Sequence, residues 1–87
     1  MITIKEAQNL MKLKYFERDS SRGVYATFTW LVEEIGELAE AVLSGNKESI
    51  EEEIADVLAW TLSLANLLDV DVEKAFLKKY PKGSEWE

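Results

Sequence analysis

The stretch Ile54-Ala-Asp-Val-Leu-Ala-Trp-Thr-Leu-Ser-Leu-Ala-Asn-Leu-Leu68 decides the fold. At about 100° per residue its apolar side chains point in nearly every direction, the pattern of a helix covered on all sides. It is too short to span a bilayer, and Asp56, Thr61, Ser63 and Asn66 interrupt it. It therefore reads as the central helix of an all-α protein. A chain of 87 residues has little material with which to surround one helix completely. A homodimer or homotetramer with this helix near the subunit contact is expected, in preference to a monomer that leaves some leucines exposed.

Punctuation on either side of this run divides the chain into four helical stretches, with no strand alternation anywhere. Upstream, Ser44-Gly45-Asn46 stops one helix and caps the next, because glycine just past a periodic run favours a C-terminus and asparagine an N-cap. The preceding helix carries Phe28, Leu31, Ile35, Leu38 and Val42 at three- and four-residue steps, which predicts its core stripe. Before it, Asp19-Ser-Ser-Arg-Gly23 reads as a polar turn. A first helix to about Arg18 starts at the capping-box spacing Thr3-Ile-Lys-Glu6. Downstream, Asp69-Val-Asp71 breaks and caps, and a short helix from Val72 ends before Pro81. A four-helix bundle-like protomer forming one domain over residues 1–87 is predicted.

Composition narrows the chemistry. With no cysteine, disulfides and thiolate sites are excluded, and with no histidine the chain lacks the usual zinc ligand and general base. The net charge of −7 argues against a nucleic-acid partner held by a basic surface. No signal peptide or membrane span is visible, so a cytoplasmic location without a membrane partner is the default expectation. The acidity is local. Glu33, Glu34, Glu37, Glu40, Glu48, Glu51, Glu52, Glu53 and Asp56 face a single cation, Lys47, between Glu33 and Asp56.

Spacing selects four of these acids. On the second helix Glu34 borders the apolar stripe, and Glu37 lies one turn along and about 60° round, so their carboxylates can converge. Glu53 and Asp56 repeat that relation on the third helix, and Asp56 is the only charge within its apolar run. A carboxylate there is expected to suffer a large desolvation cost unless paired or coordinated. The short connection at Gly45 makes the two helices antiparallel neighbours, so the two acidic pairs can face each other. A hard divalent cation with oxygen-only ligands, Mg2+ or Mn2+, would relieve their repulsion. Such ions leave positions for substrate phosphates, which points to metal-assisted hydrolysis of a phosphoanhydride. Lys78, Lys79, Lys82, Arg18 and Arg22 are the cations available to the phosphates. Tyr15, Phe16, Tyr25, Trp30 and Trp60 could stack on a base, although aromatics at helical spacing more often belong to a core.

These residues resemble a known family. Arg22-Gly23, Trp30-Leu-Val-Glu-Glu-Ile-Gly-Glu-Leu-Ala-Glu-Ala-Val42, Glu52-Glu-Ile-Ala-Asp-Val-Leu58 and Lys78-Lys-Tyr-Pro81 are similar to the MazG-like nucleoside triphosphate pyrophosphohydrolases of the all-α NTP pyrophosphatase superfamily. The likeness covers nearly the whole chain. It implies an oligomeric helical bundle and Mg2+-dependent hydrolysis of a nucleoside triphosphate to the monophosphate and pyrophosphate. It places the metal-binding and catalytic acids at Glu34, Glu37, Glu53 and Asp56, and aligns Lys78 and Tyr80 with a segment near the substrate. Arg22 and Trp30 join them as candidate substrate-binding residues. The general base stays open among Glu33, a metal ligand and a metal-bound hydroxide. The end Ser84-Glu-Trp-Glu87 departs from relatives with a cysteine-containing tail, which leaves base recognition open. Two alternatives accompany this reading: a phosphoribosyl-ATP pyrophosphatase and a non-catalytic acidic module that dimerises.

Overall fold

The computed structural model describes residues 1–82, so the chain end at Ser84–Glu87 lies outside the described residues. Four α-helices follow one another: α1 (Ile4–Arg22), α2 (Val24–Ser44), α3 (Lys47–Leu67) and α4 (Val72–Lys79). The starts of α1, α3 and α4 follow the expected capping chemistry. Thr3 Oγ1 accepts from the Glu6 amide at 3.0 Å while the Thr3 amide donates to Glu6 Oε1 at 3.0 Å, completing a capping box. Asn46 Oδ1 accepts from the Ser49 amide at 3.0 Å, and Asp71 Oδ1 accepts from the Lys74 amide at 3.0 Å.

The first connection is shorter than the sequence suggests. Instead of a turn over residues 19–23, α1 continues through Arg22 and Gly23 alone links it to α2. Gly23 sits at φ 93°, ψ 167°, a conformation essentially reserved for glycine, and it lets the chain change direction in one residue. The extra helical turn persists because Asp19 is buried and paired with Arg18 and Arg22. Gly45, at φ 71°, ψ 9°, closes α2 in the left-handed conformation.

The most extensive packing is α2 on α3, followed by α1 on α3, which makes α3 the central helix. On α2 the inward face is Thr27, Leu31, Glu34, Leu38 and Ala41, the three-and-four spacing of a two-helix seam. This corrects the expected stripe. Leu31 and Leu38 do face inward, but Phe28, Ile35 and Val42 remain about half exposed (52%, 49% and 57%). The inward face is thus rotated round the helix toward Glu34. Ile54 and Leu58 of α3 are likewise exposed at 54% each, so the protomer alone leaves an apolar strip open on both helices of the hairpin.

A buried amide ties the far end together. Gln8 Nε2 donates to Asn66 Oδ1 at 3.0 Å and to the Val70 carbonyl at 2.7 Å, and its Oε1 accepts from the Val72 amide at 3.0 Å. Asn66 Nδ2 donates in return to the Gln8 carbonyl at 3.1 Å. Three elements are joined by one side chain whose two amide N–H groups and carbonyl oxygen each have a partner. With Lys5 to Asp71 at 3.9 Å, this network seats α4 against the first turns of α1. No helix among the described residues is long and apolar enough to cross a membrane.

Candidate metal and active site

The hairpin closes at Gly45, and that fixes which side chains meet. Residues equally distant from Gly45 in an antiparallel pair lie at about the same level, which matches Glu37 with Glu53, Glu34 with Asp56 and Trp30 with Trp60. The structure follows this register. Glu34, Glu37 and Glu53 each offer a carboxylate oxygen, all within 4.8 Å of one another. The Trp30 and Trp60 rings stack with centroids 6.3 Å apart and planes inclined by 20°.

Three carboxylates so close repel one another, and their titration reflects it. Burial pushes the Glu34 carboxyl up to about 7, reinforced by hydrogen bonding with Glu37 and by the charges of Glu37, Asp56 and Glu53. Glu53 is raised as well, first by burial and then by the charges of Glu37 and Asp56, while hydrogen bonding with Glu34 pulls the other way. Glu34 Oε2 and Glu53 Oε2 are buried and no donor among the described residues reaches them. Buried oxygens of this kind need a partner, and the nearest groups are other acids. Oxygen-only donors suit a hard divalent cation such as Mg2+ or Mn2+, so the residues present fit such an ion.

Asp56 departs from expectation. It is exposed rather than enclosed by its apolar run, and it is not one of the three acids whose oxygens converge. The reason is its position on α3. Glu53 faces the α2 seam, whereas Asp56, three residues on, turns toward the edge next to α1, where solvent reaches it. Its charge still acts on Glu34 and Glu53, so it stands at the rim of the cluster.

Beyond Asp56 the character of the surface changes. A cleft of about 150 Å³ is lined by Asp56, Trp60, Ala59 and Ser63 of α3 and by Met11, Tyr15 and Arg18 of α1. The Arg18 guanidinium lies 4.2 Å from the Tyr15 ring centroid and 5.6 Å from that of Trp60, and Arg22 lies 5.0 Å from Trp60. Both arginines pair with buried Asp19. An acidic seam able to hold a cation thus adjoins a cationic, aromatic cleft able to hold an anion with a planar group.

Of the eight residues singled out by sequence, Glu34, Glu37 and Glu53 converge, Asp56 stands at their rim, and Trp30 and Arg22 both meet Trp60. Lys78 lies in α4, which packs on α1, and Tyr80 follows as its C-cap; neither lines the clefts that take in Asp56 or Glu37 and Glu53. The sequence reading places Asp19 only within a turn. Its signal was present: an acid flanked by Arg18 and, one helical turn on, by Arg22.

A family model described as the MazG nucleotide pyrophosphohydrolase domain matches residues 22–86. The chain belongs to the MazG family. The match takes in all four acids together with Arg22, Trp30, Trp60, Lys78 and Tyr80, and leaves out α1 up to Ser21. MazG domains are nucleotide pyrophosphohydrolases that generally depend on a divalent metal, which agrees with the oxygen-only cluster in this MazG chain. No curated protein matches the sequence.

Proposed function

We propose that the protein hydrolyses nucleoside triphosphates to the monophosphate and pyrophosphate with Mg2+ as cofactor, in the removal of noncanonical or surplus nucleotides. The observation that carries this reading is the pair of buried, partnerless oxygens on Glu34 and Glu53 beside Glu37, in a chain matched by the MazG domain. Glu34, Glu37 and Glu53, with Asp56 at the rim, would hold the cation, and Mn2+ would serve in its place. A bound divalent cation neutralises phosphate charge and polarises the attacked phosphoryl group. Water oxygen bonds to the α-phosphorus, the bond to the bridging oxygen breaks, and pyrophosphate leaves. The proton lost by water passes to a carboxylate or to solvent. Arg18 and Arg22 supply positive charge from the α1 side, and Trp30 and Trp60 present ring surface at the same level of the hairpin.

The working unit in this proposal is a homodimer or homotetramer of single-domain protomers in the cytoplasm, with no nucleic-acid or membrane partner. Two observations support the assembly. The described chain has a radius of gyration of 14.5 Å, against about 12 Å for a self-contained domain of this length. The apolar strips at Phe28, Val32, Ile35, Ile54 and Leu58 also lack cover within one protomer. A role at the substrate for Lys78 and Tyr80 would require α4 of another copy to reach the acids.

The test is a panel of canonical, deoxy and oxidised nucleoside triphosphates, with phosphoribosyl-ATP included, assayed for pyrophosphate in Mg2+. Release from at least one nucleoside triphosphate, stopped by chelator, is expected. Turnover of phosphoribosyl-ATP alone would assign the histidine-pathway reaction instead. No turnover together with no metal-induced rise in Tm would leave an acidic dimerisation module.

A further inference from the structure

We propose that Asp19 is a positioning residue, which holds Arg18, beside the charge of Arg22, in place to receive the polyphosphate chain of the substrate. This rests on the triphosphate reading above. Asp19 is 1% exposed, the one charged residue fully buried among the described residues, and it lies outside the carboxylate seam. Both arginines converge on its Oδ1: Arg18 through Nη2 at 3.1 Å and Nε at 3.3 Å, Arg22 through Nη1 at 3.7 Å.

The two-point contact fixes the plane of the Arg18 guanidinium, and the Tyr15 and Trp60 rings support its faces. Nε and Nη2 are committed to Asp19, so Nη1 keeps its N–H groups for another acceptor. The Arg18 side chain is 48% exposed and lines the cleft that Asp56 also lines. Arg22 Nη1 lies too far from Asp19 for a hydrogen bond and is closed to solvent, so Arg22 adds its charge while Arg18 offers the open N–H groups. Two guanidinium groups against one carboxylate leave a local surplus of positive charge, immobilised at the edge of an acidic seam. That arrangement suits a ligand that carries a cation at one end and free phosphate oxygens at the other. Phosphate oxygens are the acceptors a guanidinium fork matches best, and a pre-set fork loses little freedom on binding them.

The experiment measures binding of inorganic tripolyphosphate in Mg2+ by calorimetry, using the full chain, Asp19→Asn, Arg18→Ala and the double variant. Positioning predicts that Asp19→Asn and Arg18→Ala each raise Kd by about tenfold, the loss expected for one charge-assisted hydrogen bond. The double variant should be little worse than either single one. Charge alone predicts the opposite sign, since removal of a negative group beside an anion site tightens binding. Unchanged or tighter binding in Asp19→Asn, fully additive losses in the double variant, or no binding by the unaltered protein would overturn the inference. Should Asp19→Asn fail to fold, Arg18→Ala and Arg18→Lys carry the test, because binding unchanged in both would equally overturn it. The two readings separate cleanly. The predicted pattern without nucleotide turnover leaves the clamp and removes the reaction, whereas turnover with binding unaffected by Asp19→Asn does the reverse.

Discussion

The proton on Glu34 gives the most discriminating test of the metal site. With its carboxyl pushed from the usual 4.5 up to about 7, roughly a tenth of the molecules carry a free carboxylate at pH 6 and roughly nine-tenths at pH 8. A cation must displace that proton, so apparent affinity for Mn2+ or Mg2+ should rise about tenfold between those pH values and level off above them. Ordinary carboxylates would already be ionised at pH 6 and would give a nearly flat profile. The same proton sets the sign for stability. Folded Glu34 holds it more tightly than the unfolded chain does, so metal-free stability should fall as pH rises from 4.5 to about 7, then level off. Glu34→Gln removes both the charge and the titration. At pH 8 the metal-free variant should melt higher than the unaltered protein, bind Mn2+ more weakly, and lose most of the pH dependence between 6 and 8. Calorimetric titration with Mn2+ at three pH values is the assay. An affinity constant within about twofold across that range would mean that Glu34 does not compete for a proton where the cation binds.

Other outcomes follow from the fold. Gly23→Ala meets no atom within 4 Å of its new Cβ, so only the backbone at φ 93° opposes it; a loss of about 1–3 kcal/mol is expected by denaturant titration, and an unchanged midpoint would contradict the one-residue link. Gln8→Ala strands Asn66, the Val70 carbonyl and the Val72 amide; it should cost on the order of 2–4 kcal/mol and speed hydrogen exchange first in α4. The exposed strips at Ile35 and Leu58 predict a Tm that rises with protein concentration. Leu58→Glu should yield a monomer by sedimentation, and a concentration-independent monomer before the substitution would remove the assembly.

Helix order was legible because its determinants are local. Thr3, Gly45, Asn46 and Asp71 act within four residues of themselves, and each does in the structure what its chemistry suggests. The acid pairs on α2 and α3 were legible for a related reason: helical spacing and a short connection at Gly45 together determine their register. Tertiary choices were less accessible. Thr27 and Glu34 lie on the inward face of α2 while Phe28 and Ile35 do not, a rotation that depends on which face α3 and further subunits cover. Asp56 looked enclosed because its sequence neighbours are apolar, but exposure follows the angle round the helix, and that angle faces the edge of α1. Asp19 and Gln8 are hard to read from sequence for one shared cause: each is polar, and each is buried by partners distant in sequence or on another turn.

In the proposed reaction, the acids of the α2–α3 seam hold the cation used in triphosphate hydrolysis. The most direct measurement of this role is kcat/KM of Glu53→Gln in Mg2+, on the best substrate of the nucleotide panel, with the fold verified by circular dichroism. A fall of at least about 100-fold is predicted, since replacing a carboxylate that holds the cation should exceed the tenfold to 100-fold typical of the groups behind it. A folded Glu53→Gln variant that keeps full activity would mean that this carboxylate does not hold the catalytic cation.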